Sequence, residues 1–281
     1  MKHALLIVLA CLVCSGADKL LVITGISAQN EAVNEIGAGL VQVQSLLPPG
    51  ASPETYSPKA RQLALCSKAR IFLSINTPME KAVLHKIKAS FPQIKICDTT
   101  EGMLFREIDA EEGHHHRHGG HDPHVWLGIH NMKIHARNVA KALSGEYPEK
   151  AKEINANLIA YLSKLDLLEK HINEILMPLS GETILVFHPA FGYLLDAANI
   201  KQVAVEQHGK DASAMHLAEL SKKARSLKCS KLFVQPQSNP VSAEKAASIL
   251  GKACCQLSPI PENYSIDMLE LANSIRSAFP Q

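Results

Sequence analysis

Short apolar runs, often β-branched, alternate along most of the chain with longer segments whose apolar positions recur at helical spacing. Residues 20–26 (LLVITGI) form the first such run. Ser27 is placed to cap a helix in which Ala32, Val33 and Ile36 share a face. Residues 40–47 read as a second strand, closed by Pro48-Pro49-Gly50, a sequence that no strand interior tolerates. A loop runs through Ser57, and Pro58 suits the first turn of a helix. Residues 71–75 and 94–97 read as buried strands on either side of a helix over 79–90.

The middle of the chain changes character. From 129 to 176 nearly every residue favours helix, with breaks at Ser144-Gly145 and Pro148. Pro148 fits the start of a helix reaching about Met177, about 40 Å long at 1.5 Å per residue. That exceeds an ordinary crossover helix and predicts a rigid connector. The alternation then resumes, with strands expected at 183–187, 202–205, 231–234 and 254–257 and helices at 213–226, 242–253 and 266–278. Strand alternating with helix implies crossover units and parallel sheets. The expected fold class is α/β: two Rossmann-like (β/α) lobes, 18–145 and 180–281, joined by a linker helix over 146–179. Ligands of open parallel sheets lie beyond the carboxyl ends of the strands, so the expected site is the cleft between the lobes.

Composition narrows the function. With Lys+Arg 29 against Asp+Glu 27 the net charge is +2, which argues against nucleic-acid binding. Hydrophobic residues at 46% suffice for a large core. The start of the chain reads as a Sec signal peptide over 1–17. Lys2 precedes an apolar run over 4–13, and Ser15-Gly16-Ala17 supplies small residues before a cut after Ala17. A lipid-anchored alternative rests on Val8-Leu9-Ala10-Cys11. The expectation is a periplasmic or secreted protein. Beyond the signal lie Cys66, Cys97, Cys229, Cys254 and Cys255, none with the spacing of a zinc knuckle. Cys66 and Cys97 read as buried structural thiols, and Cys229 is a candidate to bridge Cys254 or Cys255.

Histidine is the unusual residue, at 14. Five of these, His114, His115, His116, His118 and His121, fall in the segment EEGHHHRHGGH over 111–121. The segment has almost nothing apolar to pack and reads as an auxiliary metal-collecting loop. His124 follows Pro123 on a stiff turn and precedes the apolar Val125-Trp126-Leu127, as a fixed ligand requires. His188 ends the apolar strand and faces the expected cleft. Glu54 lies in the loop after the second strand. Two histidines and a carboxylate also match a hydrolytic zinc centre, but there is no HExxH helix, nucleophile elbow or phosphate loop. A structural surface protein or adhesin would leave the histidine pattern unexplained. His85, His130, His135, His171, His208 and His216 read as surface or packing residues.

In this order, LLPPGASPETYSP, DPHVWL and FHPAFGYL resemble the solute-binding proteins of bacterial ABC importers for zinc and manganese, over essentially the whole chain after the signal. The resemblance implies two α/β lobes bridged by a long helix, with the metal between them, and no enzymatic activity. His124 matches the family histidine of DPHxW, and His188 matches a position that is histidine in zinc-binding members and often glutamate in manganese-binding ones. Glu54 stands where the family usually has histidine. Ser258 stands in the loop where the family often places an aspartate ligand. The resemblance thus implies three ligands, Glu54, His124 and His188, with a fourth from water, a loop histidine, Glu206 or Glu262. The implied cargo is Zn²⁺, with a manganese- or iron-binding member as the alternative. The implied partner is an ABC transporter membrane permease, and the chain itself is expected to be a monomer.

Overall fold

The computed structural model describes residues 19–107, 121–206 and 212–280. The signal segment, His114, His115, His116, His118 and His208 therefore lie outside the described residues. Two four-stranded sheets, parallel throughout, form the centres of two lobes. The first contains β1 (Leu20–Thr24), β2 (Val41–Ser45), β3 (Ile71–Ser74) and β4 (Lys95–Asp98), in the order β2-β1-β3-β4. The second repeats that order with β5 (Thr183–Val186), β6 (Lys201–Ala204), β7 (Lys231–Val234) and β8 (Ala253–Gln256), as β6-β5-β7-β8. Register is set by apolar runs buried on both faces, such as Ile71–Ser74 and Thr183–Val186.

The helices of the first lobe are α1 (Asn30–Gly37), the short α2 (Ala60–Leu63) and α3 (Pro78–Ser90). Then come α4 (Ile129–Glu146) and α5 (Ala151–Leu176), followed in the second lobe by α6 (Gly192–Asp196), α7 (Ala214–Ser226), α8 (Pro240–Leu250) and α9 (Tyr264–Arg276). The 26 residues of α5 span about 39 Å. They bury one stripe of Ile154, Tyr161, Leu165, Leu168, Ile172 and Leu176. That stripe packs on α1 and α4 at one side and α9 at the other, so a single apolar core runs through both lobes. A second apolar cluster, with Leu185, Phe187, Leu217, Leu232 and Leu250, lies between the second sheet and α7 and α8.

Several local expectations differ from the structure. Ser27 does not cap α1: its hydroxyl donates to the Pro261 carbonyl of the other lobe (2.9 Å), and the Gln29 side chain instead accepts from the N–H groups of Gly25 and Ile26. Pro58 lies outside α2, whose preceding residue is Lys59. Ser144-Gly145 does not interrupt α4, because the helix is held by buried Met132, Ala136, Val139, Ala140 and Leu143 and runs on to Glu146. Asn239, not Ser242, opens α8; its side chain accepts from Val241 and Ser242, with Pro240 in the first turn. The proposed cysteine bridge is not formed, and all five described cysteines are free thiols. The buried Cys229 thiol donates to the Lys231 carbonyl, while Cys254 and Cys255 sit on β8 opposite Leu232 and Phe233.

Candidate metal centre

In each sheet the chain reverses its lateral progress between the two central strands, and the loops leaving their carboxyl ends flank a natural binding crevice. In the second lobe those strands are β5, which runs through Phe187 into His188, and β7, which runs into Gln235. In the first lobe Glu54 lies on the loop after β2. The turn there needs Gly50, whose φ of +78° is disfavoured for residues with a side chain. The N–H of Met79, in the first turn of α3, donates to the Pro53 carbonyl (2.9 Å) and fixes the loop beside Glu54. His124 follows the long connection from β4 and leads into the single helical turn Val125–Leu127, which is fully buried.

The structure brings Glu54, His124 and His188 together. One ligand atom from each lies within 4.8 Å of the others, and this is the one such group among the described residues. Glu54 Oε1 is 3.0 Å from His188 Nε2 and 3.2 Å from His124 Nε2. A tetrahedral ion about 2.0–2.1 Å from each donor would space them roughly 3.3 Å apart, so these separations fit zinc chemistry. The two imidazoles meet edge to face, with ring centres 5.5 Å apart.

Behind each histidine stands a carboxylate. His124 Nδ1 lies 2.8 Å from Asp122 Oδ1, which also accepts from the His124 backbone N–H (2.9 Å). His188 Nδ1 lies 2.7 Å from Glu206 Oε2. Both rings therefore turn Nε2 toward Glu54 and hold Nδ1–H against an anion, the arrangement that orients imidazole ligands and raises their basicity. Burial disfavours charge on both rings, but the carboxylates outweigh it: His188 is raised to about 9 and His124 is raised as well. Burial likewise pushes the Glu54 carboxyl up, yet the hydrogen bonds and charges of the two histidines hold it well below the usual carboxylate range.

Arg106 links this arrangement to the other lobe. It donates through Nη1 to Asp122 (2.8 Å) and through Nε to Asp196 of α6 (2.9 Å). Tyr193 Oη accepts from the Arg106 backbone N–H (3.1 Å) and donates to the Asp122 carbonyl (3.0 Å). The guanidinium passes so close to Gly192 that a Cβ there would meet it at 2.0 Å.

The remaining expected residues fall elsewhere. Glu206 faces the far side of His188 from Glu54. Glu262 is exposed, and its backbone N–H donates to Asp267. His121 pairs with Glu107 in an isolated antiparallel bridge, with its ring 5.2 Å from that of Phe105. Ser258 is exposed, and its hydroxyl bonds within its own loop to Ile260. His135 is fully buried, its Nδ1 2.9 Å from Thr99 Oγ1, and burial lowers it to about 4. Sequence reasoning left Asp122 without a role, although its place two residues before His124 across a proline was a usable signal. Arg106, Tyr193 and Asp196 carried none.

Comparison with known proteins shows the family and the fold. The family model described as ZnuA, zinc-uptake complex component A, periplasmic, matches residues 22–277. The zinc-binding lipoprotein AdcA of Streptococcus pneumoniae serotype 4 is 29% identical over 255 residues, covering 86% of this chain and 50% of its own length. The chain thus spans about half the length of that relative. A crystal structure of ZnuA superposes with a TM-score of 0.85 at 30% identity, covering 93% of this chain and 99% of that one. The periplasmic zinc-binding protein TroA of Treponema pallidum shares the fold, with a TM-score of 0.80 at 21% identity, covering 94% of this chain and 100% of that one. Among the described residues no helix is long and apolar enough to cross a membrane.

Proposed function

The chain belongs to the ZnuA family of periplasmic zinc-uptake components, and on that basis we propose that it captures one zinc ion between its lobes and passes it to the membrane permease of an ABC importer. The observation that carries this reading is the convergence of Glu54, His124 and His188, drawn from both lobes, with a carboxylate behind each imidazole. This is a carrier's site rather than an enzyme's. It offers ligands and a path for protons, and the zinc ion is the cargo.

Capture exchanges protons for metal. In the metal-free protein the raised histidines hold protons against Glu54, and an imidazole must lose its Nε2 proton to bind the ion. Asp122 and Glu206 keep Nδ1–H in place meanwhile, so the rings do not have to reorient. Because α5 packs against both lobes, release would proceed by local movement of the ligand-bearing loops rather than wide opening of the cleft. His114, His115, His116, His118 and His121 would collect further zinc with lower affinity than the interlobe site, since ordering side chains around an ion costs conformational entropy.

Zinc is favoured over manganese by the donor set. Two nitrogens and one carboxylate suit a four-coordinate ion of intermediate softness, whereas manganese prefers more oxygen donors. Glu54 in place of the usual histidine moves the preference toward manganese, but only by one ligand. Metal-free full-length chain offered equimolar Zn²⁺ and Mn²⁺ should retain one tightly held equivalent of zinc, measured by elemental analysis after gel filtration. Retention of Mn²⁺ against equimolar Zn²⁺ would show that the carboxylate dominates and that the assignment is wrong.

A further inference from the structure

Three side chains leave a tetrahedral ion one ligand short, and the second lobe presents a pair of amides in a cavity beside Glu54 and His124. Gln235 and Gln237 flank Pro236 in the loop leaving β7. The Gln237 Nε2–H donates to the Ala51 carbonyl (3.4 Å), on the loop that carries Glu54. Its Oε1 is buried without a hydrogen-bond partner among the described residues, and so is Gln235 Nε2. Both glutamines line one cavity of ≈ 10 Å³ together with Ser52, Glu54 and His124. Buried amide atoms are almost always paired, so two unpaired ones on residues that line the same small space require an explanation.

Building on the reading of Glu54, His124 and His188 as ligands, we infer that Gln235 and Gln237 hold the water that completes the zinc shell. The cavity has room for about one water molecule. The two atoms are complementary: Gln235 Nε2–H donates to the water oxygen, and one water O–H donates to Gln237 Oε1. The second oxygen lone pair is then free to face the ion. An anchored water enforces four-coordination more strongly than bulk solvent would, yet it exchanges more readily than a protein ligand. It also makes the second lobe contribute to closure through β7 as well as through His188. The two glutamines are positioning residues, acting on the ion through the water.

The test uses the full chain with Gln235→Leu, Gln237→Leu and the double substitution, and His124→Ala in parallel. Zinc affinity is measured by competition with a chromophoric chelator, and thermal unfolding is followed without metal. The double variant should keep one tight equivalent, lose roughly 10–100-fold in affinity and release zinc faster. Gln235→Leu should unfold at or above the wild-type temperature, because an apolar side chain replaces an amide whose Nε2 is buried and unpaired, whereas the double variant also loses the Gln237 bond to Ala51. A purely structural role would lower affinity and stability together. Gln235→Leu guards the result, since Gln235 makes no bond to the Glu54 loop. Unchanged affinity in the double variant, with His124→Ala impaired, overturns the inference alone. Unchanged affinity in His124→Ala as well overturns the site itself. In a crystal structure of the zinc-loaded protein, a water bonded to both amides is the expected result, and a protein atom in its place contradicts it.

Discussion

His124→Ala and His188→Ala should each abolish tight zinc binding, with losses exceeding the roughly 10–100-fold typical of residues behind the ligands. On the proposed ligand set, each substitution removes one of the three described side chains whose ligand atoms converge closely enough to hold one ion. The variants should differ in stability. His124 is buried, and its loss deprives Asp122 of its imidazole partner in a low-dielectric setting, though Arg106 and the backbone N–H at 124 remain. His188 is more open, and its loss leaves Glu206 able to reach water. Calorimetry should therefore show the two alike in zinc binding, while thermal unfolding without metal should find His124→Ala the weaker fold. Unchanged tight binding in both would remove them from the site.

Trp126→Ala should destabilise the metal-free fold by about 3–5 kcal/mol, the range for deleting a buried large aromatic side chain. Trp126 has no exposed surface. Its Nε1–H donates across the cleft to the Pro259 carbonyl (2.6 Å), and its own carbonyl accepts from Tyr264 Oη of α9 (2.8 Å). Its ring meets that of His124 edge to face at 5.3 Å. The substitution thus opens a core cavity, unpairs a carbonyl and removes the wall that fixes a ligand. At roughly 2–4 °C per kcal/mol for a chain of this class, the unfolding temperature should fall by about 6–20 °C. Zinc affinity should fall with it. A decrease of under about 1 kcal/mol would mean that the lobes are not joined through this side chain.

All eight strands could be read. The central β1, β3, β5 and β7 show as unbroken apolar runs because they are largely buried, whereas the more exposed edge strands β2, β4, β6 and β8 are legible from shorter apolar stretches in the alternation of strand with helix. The helices flanking Pro148 were equally legible, but the break expected at Ser144-Gly145 was not real. Local propensity costs only about 1 kcal/mol at a glycine, and the buried face of α4 outweighs it. Ser27 misled for a different reason: its hydroxyl is used across the lobe boundary on Pro261, a partner 234 residues away. The same distance problem hid the surroundings of the site. Glu54, His124 and His188 stood out by residue type and by position after strands. Asp196, 90 residues from Arg106, joins it only once the lobes meet. Gln235 and Gln237 occupy a strand's carboxyl end just as His188 does, but glutamine draws no notice as a ligand-holding residue until its amide is found buried and unpaired.

The pH dependence of zinc affinity tests the account most directly, because it asks whether the ion displaces protons from these particular histidines. An ordinary histidine titrates near about 6.5, so affinity governed by such residues would level off above about pH 7.5. Here the metal-free His188 is raised to about 9 and His124 is raised too, each by its carboxylate partners acting against burial. Protons therefore compete well above neutrality, and affinity must rise with pH until the metal-free rings deprotonate on their own. Chelator competition from about pH 6.5 to about pH 8.5 should show affinity still climbing at the upper end, by up to roughly tenfold per pH unit for each proton displaced. A plateau already reached by about pH 7.5 would contradict the account, since the zinc would then be binding to groups other than the paired imidazoles facing Glu54.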